Sequence, residues 1–85
     1  MENDTAWHLE VDATGLLCPL PVLRARKALQ AMAPGQVLRL LASDPVAVVD
    51  IPHFCAEAGH GFEGMQPLGD PGAGAAMAYL IRKDA

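Results

Sequence analysis

One cysteine stands where a helix is expected to begin, in the run Cys18-Pro19-Leu20-Pro21. Proline suits a first helical position because its missing N–H would be unpaired there anyway, so Pro19 predicts a helix start. A thiol at such a start faces free amides and the positive end of the helix dipole, and both favour the thiolate. Pro21 stiffens the turn, while the amides of Leu20 and Val22 remain to meet the charge. Cys18 is therefore predicted to be a reactive nucleophile.

The two cysteines invite different interpretations. Free cysteines are often small buried hydrophobes, and that alternative applies to Cys18 too, although the flanking prolines favour a functional role. Cys55 follows Phe54, in line with Ile51 and Ala58, and is predicted to belong to the core. No second cysteine stands at C-x-x-C spacing, so a dithiol redox cycle is unsupported. A single exposed thiolate can still accept a group and pass it on.

Other chemistry finds little support in the residue pattern. His8, His53 and His60 are scattered, with no spacing typical of a zinc site. No glycine-rich loop with a phosphate-binding lysine follows a strand. We therefore expect neither a metal nor an organic cofactor. Asp12 either orders the loop before Cys18 or is a solvated carboxylate at a strand end.

Alternating strands and helices must position Cys18. Strict apolar–polar alternation indicates a first strand, apolar residues at helical spacing indicate two helices, and apolar runs indicate the remaining strands. Strands are predicted over Trp7–Asp12, Val37–Ala42, Phe62–Gln66 and Ala76–Lys83, and helices over Pro19–Ala33 and Asp44–Ala58.

Several residues mark the ends of these elements. Gly15 marks the short loop before Cys18. Asp44 is predicted to be the N-cap of the second helix, with Pro45 at its first position. Pro52 predicts a kink or break near Asp50, which would cap the second half of that helix.

The order β-α-β-α-β-β predicts an α/β fold, a two-layer sandwich with both helices on one face of a four-stranded mixed sheet. The chain has 85 residues and is predicted to form one domain, residues 1–85. A domain of this size has room for one core and little room for an enclosed substrate cavity. Chemistry at the surface, in contact with a partner, is therefore favoured.

The charge pattern argues against a nucleic-acid-binding module. The net charge is −4, and the four aromatic residues are too scattered to form a stacking platform. The cations instead predict a small basic patch that docks an acidic protein surface, or a solvated helix face. These candidate partner-binding residues are Arg24, Arg26 and Lys27 on the first helix, and Arg82 and Lys83 at the end of the last strand.

Location and assembly are expected to be simple. Residues 1–6 are polar and lack the apolar segment of a signal peptide. No apolar run approaches the ~20 residues that span a bilayer. We expect a cytoplasmic monomer, in a compartment where thiols stay reduced.

The chain resembles the TusA/SirA-like sulfur-carrier family along nearly its whole length. The strongest match is Asp12–Val22, which contains the Cys-Pro-Leu-Pro run, followed by Arg26–Leu29. The glycine-rich connection Pro67–Ala75 departs from the family pattern. The other matching segments are Pro34-Gly35, Asp44-Pro45, Asp50-Ile51-Pro52, Phe54-Cys55, Gly59-His60 and Ile81-Arg82-Lys83.

The resemblance implies that Cys18 takes sulfane sulfur from a donor, typically a cysteine desulfurase, and holds it as a persulfide. It implies the same two-layer fold and an acceptor protein in a sulfur relay. Known routes of the family are tRNA 2-thiouridine synthesis, molybdenum-cofactor maturation and oxidative sulfur metabolism. Gly15, Pro19 and Pro21 would support the cysteine. The alternative hypothesis is a non-catalytic regulatory adaptor with a redox-sensitive cysteine.

Overall fold

The fold alternates strands and helices as the sequence predicts. A computed structural model of the protein describes residues 6–69 and 76–84. The Pro67–Ala75 connection therefore lies largely outside the described residues. The elements are β1 Leu9–Ala13, α1 Leu20–Gln30, β2 Val37–Ala42, α2 Ala47–Ala58, β3 Gly61–Pro67 and β4 Met77–Arg82.

The four strands form one mixed sheet in the order β1-β2-β4-β3. β1 pairs with β2 in parallel, and β4 pairs antiparallel with both β2 and β3. In the middle of the sheet, Leu40 pairs with Val11 on one side and with Tyr79 on the other. The predicted two-layer α/β fold with a four-stranded mixed sheet is confirmed.

The core lies between the helices and one face of the sheet. In α1 the buried residues Pro21, Ala25 and Leu29 recur every four positions, which places them on one stripe of the helix. From the sheet, Leu40 and Tyr79 are completely buried against the helices. Removing a leucine side chain of this kind from water contributes roughly 1.5–3 kcal/mol, so this layer carries most of the stability.

The second helix differs from the prediction at its start and in its middle. It begins at Ala47, with Val46 rather than Asp44 at the N-cap position. It then runs unbroken past Pro52, so the predicted break at Asp50 is wrong. Pro52 removes a single intrahelical hydrogen bond, the one to the carbonyl of Val48, and the helix continues on both sides of it.

The two helices differ in how their carboxyl ends agree with the sequence prediction. α2 ends at Gly59, whose φ of +81° is the left-handed conformation that glycine adopts without strain. α1 ends at Gln30, three residues before the predicted end. Among the described residues, no helix is both long enough and apolar enough to cross a membrane.

Candidate functional site

Cys18 lies in the loop between β1 and α1, and its side chain is exposed. β1 and β2 are parallel, so the loop that follows β1 lies beside the loop that follows β2. A hydrogen bond joins the two loops, since the Gly15 amide donates to Ser43 Oγ at 2.8 Å. Gly15 has a φ of +83°, a conformation that favours glycine at this turn.

Asp12 orders the first part of the Cys18 loop. Its Oδ1 accepts hydrogen bonds from the Thr14 amide at 2.9 Å and from the Thr14 hydroxyl at 2.6 Å. These two bonds lower the pKa of the Asp12 carboxyl. The side chain is also exposed, so the loop-ordering and the solvated interpretations both hold.

The first helix begins one residue later than predicted, so each of the two prolines sits one position earlier in it. Pro19 occupies the N-cap position and Pro21 the second helical position. The Cys18–Pro19 peptide bond is cis. The Leu20 amide donates to the Leu17 carbonyl at 2.8 Å, so the prediction that this amide meets the sulfur is wrong.

A buried carboxylate, Asp44, holds the backbone of Cys18. Its Oδ2 accepts the Cys18 amide at 2.6 Å, and its Oδ1 accepts the Val46 amide at 3.1 Å. The side chain is only 8% exposed, so both hydrogen bonds are needed to offset the cost of burying its charge. Asp44 therefore fixes the position of Cys18 relative to the start of α2, rather than capping that helix from the N-cap position.

A second carboxylate, Asp50, contacts the sulfur itself. The Cys18 thiol donates a hydrogen bond to Asp50 Oδ2, with a distance of 3.0 Å between Sγ and oxygen. Asp50 lies in the first turn of α2, where a negative charge also suits the helix dipole. Sequence reasoning assigned Asp50 to a helix cap and missed this contact, because the two residues are 32 positions apart.

The electrostatic setting of Cys18 is the reverse of the one predicted. Its thiol pKa is raised, first by the hydrogen bond to Asp50, then by partial desolvation and by the negative charges of Asp50 and Asp44. Each of these effects favours the protonated thiol over the thiolate. The prediction that the start of α1 lowers the Cys18 pKa is therefore wrong, because Asp50 accepts a hydrogen bond from the thiol and the charge of Asp44 adds to its effect.

An open groove of about 250 Å³ lies between the two helices, beside Cys18. Two of its lining residues adjoin Cys18: Pro19 follows it in the chain, and Asp50 accepts the hydrogen bond from its thiol. Arg26 forms part of one wall, with its guanidinium 5.7 Å from the centre of the Phe54 ring. The α1 wall consists of Pro19, Val22 and Arg26, and the α2 wall of Asp50, His53, Phe54 and Glu57.

Comparison with known proteins identifies the family. The chain matches the family model described as Sulfurtransferase TusA over residues 9–83. The chain belongs to the TusA family. The sulfur carrier protein TusA of Allochromatium vinosum is 53% identical over 51 residues, which cover 60% of this chain and 67% of that protein. The predicted family resemblance is thus confirmed, and a general role in carrying sulfur follows from it.

A solved structure supports the fold of this TusA-family chain. The crystal structure of a SirA-like protein from Desulfitobacterium hafniense is similar with a TM-score of 0.69. The similarity covers 92% of this chain and 100% of that one, at 23% sequence identity. At 23% identity the comparison supports the fold and nothing further.

The three cations on α1 of this TusA-family protein are exposed, and one of them borders the groove. Arg26 lines the groove wall, and Arg24 and Lys27 are exposed on the same helix.

The cations at the end of β4 lie elsewhere and have other contacts. β4 runs antiparallel to β2, so its last residues lie at the end of the sheet away from Cys18. Arg82 forms ion pairs with Glu63 and Asp84. The Lys83 ammonium donates to the Leu29 carbonyl at the end of α1, which also accepts the Met32 amide. The structure therefore does not join Arg82 and Lys83 to the basic residues of α1.

The second cysteine is a core residue, as predicted. Cys55 is only 1% exposed, and burial raises its pKa to about 11. Neither cysteine forms a disulfide. Within residues 6–69 and 76–84, no group of three or more His, Cys, Asp or Glu side chains could hold a metal ion.

Proposed function

We propose that Cys18 is the sulfur-carrying residue of this TusA-family protein. It accepts sulfane sulfur from a donor persulfide, holds it as its own persulfide and passes it to an acceptor thiol. The supporting observation is exposure: Cys18 is open to solvent beside the groove, whereas Cys55, the other cysteine of the chain, is buried. Thiol exchange requires access to the sulfur, so Cys18 is the residue suited to it.

Loading is an exchange between two sulfur atoms. The Cys18 sulfur attacks the outer sulfur of a donor persulfide, R–S–SH, and a new S–S bond forms while the donor S–S bond breaks. The proton of the Cys18 thiol ends on the donor sulfur that leaves. The products are the Cys18 persulfide and the donor thiol, so there is no net oxidation. Unloading repeats the exchange with an acceptor thiol as the attacking group, and neither step requires a metal or an organic cofactor.

The structural elements around Cys18 have supporting roles in this proposal. Gly15 permits the turn that brings the loop back to α1, and Pro19 and Pro21 restrict the backbone on either side of the helix start. A well-fixed loop presents the sulfur in one orientation to a donor and to an acceptor. The α1 cations Arg24 and Arg26 would pair with acidic side chains of these partners.

The partners follow from the chemistry and the family. The donor is a cysteine desulfurase or another protein persulfide, and the acceptor is a thiol of a sulfur-relay protein. The end products proposed for such a relay are 2-thiouridine in tRNA, the molybdenum cofactor or the products of oxidative sulfur metabolism. An acidic partner surface would dock on α1, and a partner that also contacts Arg82 and Lys83 would have to span the length of the sheet.

Intact-protein mass spectrometry tests the proposal. The protein is incubated without reductant, either with a cysteine desulfurase and cysteine or with inorganic polysulfide. We expect a gain of one sulfur atom that a reductant removes, that Cys18→Ser abolishes and that Cys55→Ala leaves intact. Cys55→Ala is the matched control because it removes the buried thiol without adding a buried hydroxyl.

The outcome separates the carrier from the regulatory adaptor. If neither donor adds sulfur to Cys18 in the folded wild-type protein, the carrier proposal is wrong and the adaptor becomes the better account. An adduct that persists in Cys18→Ser and disappears in Cys55→Ala would place the chemistry on the wrong cysteine and equally overturn it.

A further inference from the structure

The contact between Cys18 and Asp50 is the closest interaction of the reactive sulfur with a charged group. The distance of 3.0 Å between Sγ and Oδ2 is short for a thiol donor, so the carboxylate engages the S–H directly. A carboxylate can accept this hydrogen bond only from the protonated thiol. Ionisation of Cys18 would replace the bond with repulsion between two negative charges.

The other charged groups near the sulfur do not cancel this effect. Asp44, in the loop before α2, adds a second negative charge, and both of its oxygens are bonded to backbone amides. From α1, Arg26 is directed towards the Phe54 ring. On α2, Glu57 and His53 line the groove further along the helix and contact each other at 3.9 Å. Asp50 is the charged residue that hydrogen-bonds the sulfur.

We propose that Asp50 controls the reactivity of Cys18 by holding the thiol proton in the free carrier. This inference rests on the proposed sulfur-carrying role and adds a residue to it. Asp50 touches the reacting atom and acts on it through a hydrogen bond and a charge. Its effect is to keep the exposed thiol slow to react with molecules that arrive without a docked partner.

The negative charge of Asp50 also affects the loaded state, in which the Cys18 sulfur carries the outer sulfur in place of its proton. When an acceptor attacks the outer sulfur of the persulfide, the Cys18 sulfur is the leaving group, and a thiol with a raised pKa leaves slowly. The proton that Cys18 regains in this step comes from the acceptor thiol, so the exchange stays balanced. Asp50 therefore slows the release of sulfur as well as adventitious reactions of the empty thiol. Both effects suit a carrier that must keep its sulfur between two proteins.

The pH dependence of alkylation tests this role without any sulfur transfer. Wild type and Asp50→Asn, both carrying Cys55→Ala, are treated with iodoacetamide, an uncharged reagent, over a range of pH. The variant removes the charge and nearly keeps the shape of the side chain. We expect its rate profile to move to lower pH and its rate at pH 7 to rise roughly three- to tenfold, since tenfold corresponds to one pKa unit.

Matched variants show whether the effect is specific to Asp50. Glu57→Gln removes one negative charge from the same helix, and His53→Gln removes the histidine of the groove. Both should leave the alkylation profile close to that of wild type. Asp50→Glu retains the charge and should keep the rate at pH 7 near the wild-type value. A profile for Asp50→Asn that coincides with that of wild type would overturn the proposal.

Release of sulfur provides a second measurement. Protein loaded with polysulfide is mixed with glutathione at fixed pH, and loss of the persulfide is followed by mass spectrometry. We expect Asp50→Asn to release sulfur several times faster than wild type. If wild type takes up no sulfur, the proposed function fails, while the alkylation profiles still decide the role of Asp50. If wild type loads and the variant neither reacts nor releases sulfur faster, only the Asp50 inference fails. If Asp50→Asn melts at a lower temperature than wild type, both measurements are repeated with Asp50→Ser.

Discussion

The two cysteines of the chain have raised pKa values for different physical reasons. At Cys18 the main cause is the hydrogen bond to Asp50, assisted by the charges of Asp50 and Asp44. At Cys55 the cause is burial in the core. A thiol restrained by neighbouring charges regains reactivity when those charges are neutralised or removed. A thiol restrained by burial regains it only when the surrounding core opens.

This difference separates a reactive site from a structural one within the same small fold. Cys18 lies on a loop whose position depends on a few polar contacts between neighbouring loops. Cys55 lies on α2 among completely buried residues such as Ile51. Chemistry at the first position can therefore be adjusted with little effect on folding, whereas any change at the second position acts on stability.

The largest effect expected from this comparison is a difference between the alkylation rates of Cys18 and Cys55. In the native protein iodoacetamide should label Cys18, and Cys55 should react on the order of 10³-fold more slowly, because its exposure requires most of the free energy of unfolding. Peptide mass spectrometry after timed labelling measures both rates in one sample. In concentrated guanidinium chloride the two cysteines should react at similar rates. Similar alkylation rates for Cys18 and Cys55 under native conditions would show that α2 opens locally. The two cysteines could then not be separated into a reactive and a structural one.

The next effect concerns the carboxylate that fixes the Cys18 loop. In Asp44→Asn one acceptor oxygen remains for the two backbone amides of Cys18 and Val46. The side-chain NH₂ group then faces one of these N–H donors. We expect a loss of about 1–3 kcal/mol in the free energy of unfolding, measured by urea denaturation. Asp12→Asn is the control, since its carboxylate bonds only to Thr14 in an exposed turn. Equal, small losses in both variants would show that the loop does not depend on the buried Asp44.

Local patterns in the sequence were sufficient for most of the fold. The alternation before Ala13, the apolar residues at helical spacing in α1 and the stop at Gly59 each depend on a few neighbouring residues, and each was predicted. The burial of Cys55 followed in the same way from its apolar helical neighbours. The strand order was not readable, because it depends on pairings between distant segments.

The environment of Cys18 could not be predicted in the same way. The contact with Asp50 requires α2 to pack beside the start of α1, and no local pattern reports that packing. The sequence contained a weak indication of the contact between Cys18 and Asp44. The two residues follow β1 and β2, and the loops after two parallel strands meet at one edge of the sheet. The contacts of Arg82 and Lys83 likewise depend on tertiary structure, which separates them from the basic residues of α1.

The smallest effect concerns the stability of the fold in alkaline solution. Burial raises the pKa of Cys55 from 9.0 to about 11, so between these values the unfolded chain loses a proton that the folded chain retains. Stability therefore falls as pH rises through this window, with a contribution from Cys55 of at most about 1.4 kcal/mol per pH unit. Urea denaturation of wild type and Cys55→Ala at several pH values from 8 to about 10.5 measures the difference in slope.

The comparison of slopes isolates Cys55 from the other groups that titrate in the same range. Tyr79 and Cys18 also have raised pKa values, and they contribute equally to both proteins. The variant should be less stable near pH 8, because a buried sulfur is lost, and should lose less stability as the pH rises. Parallel curves would mean that Cys55 ionises as readily in the folded protein as in the unfolded chain. In that case burial would not be what keeps Cys55 inert, and the contrast with Cys18 would rest on access alone.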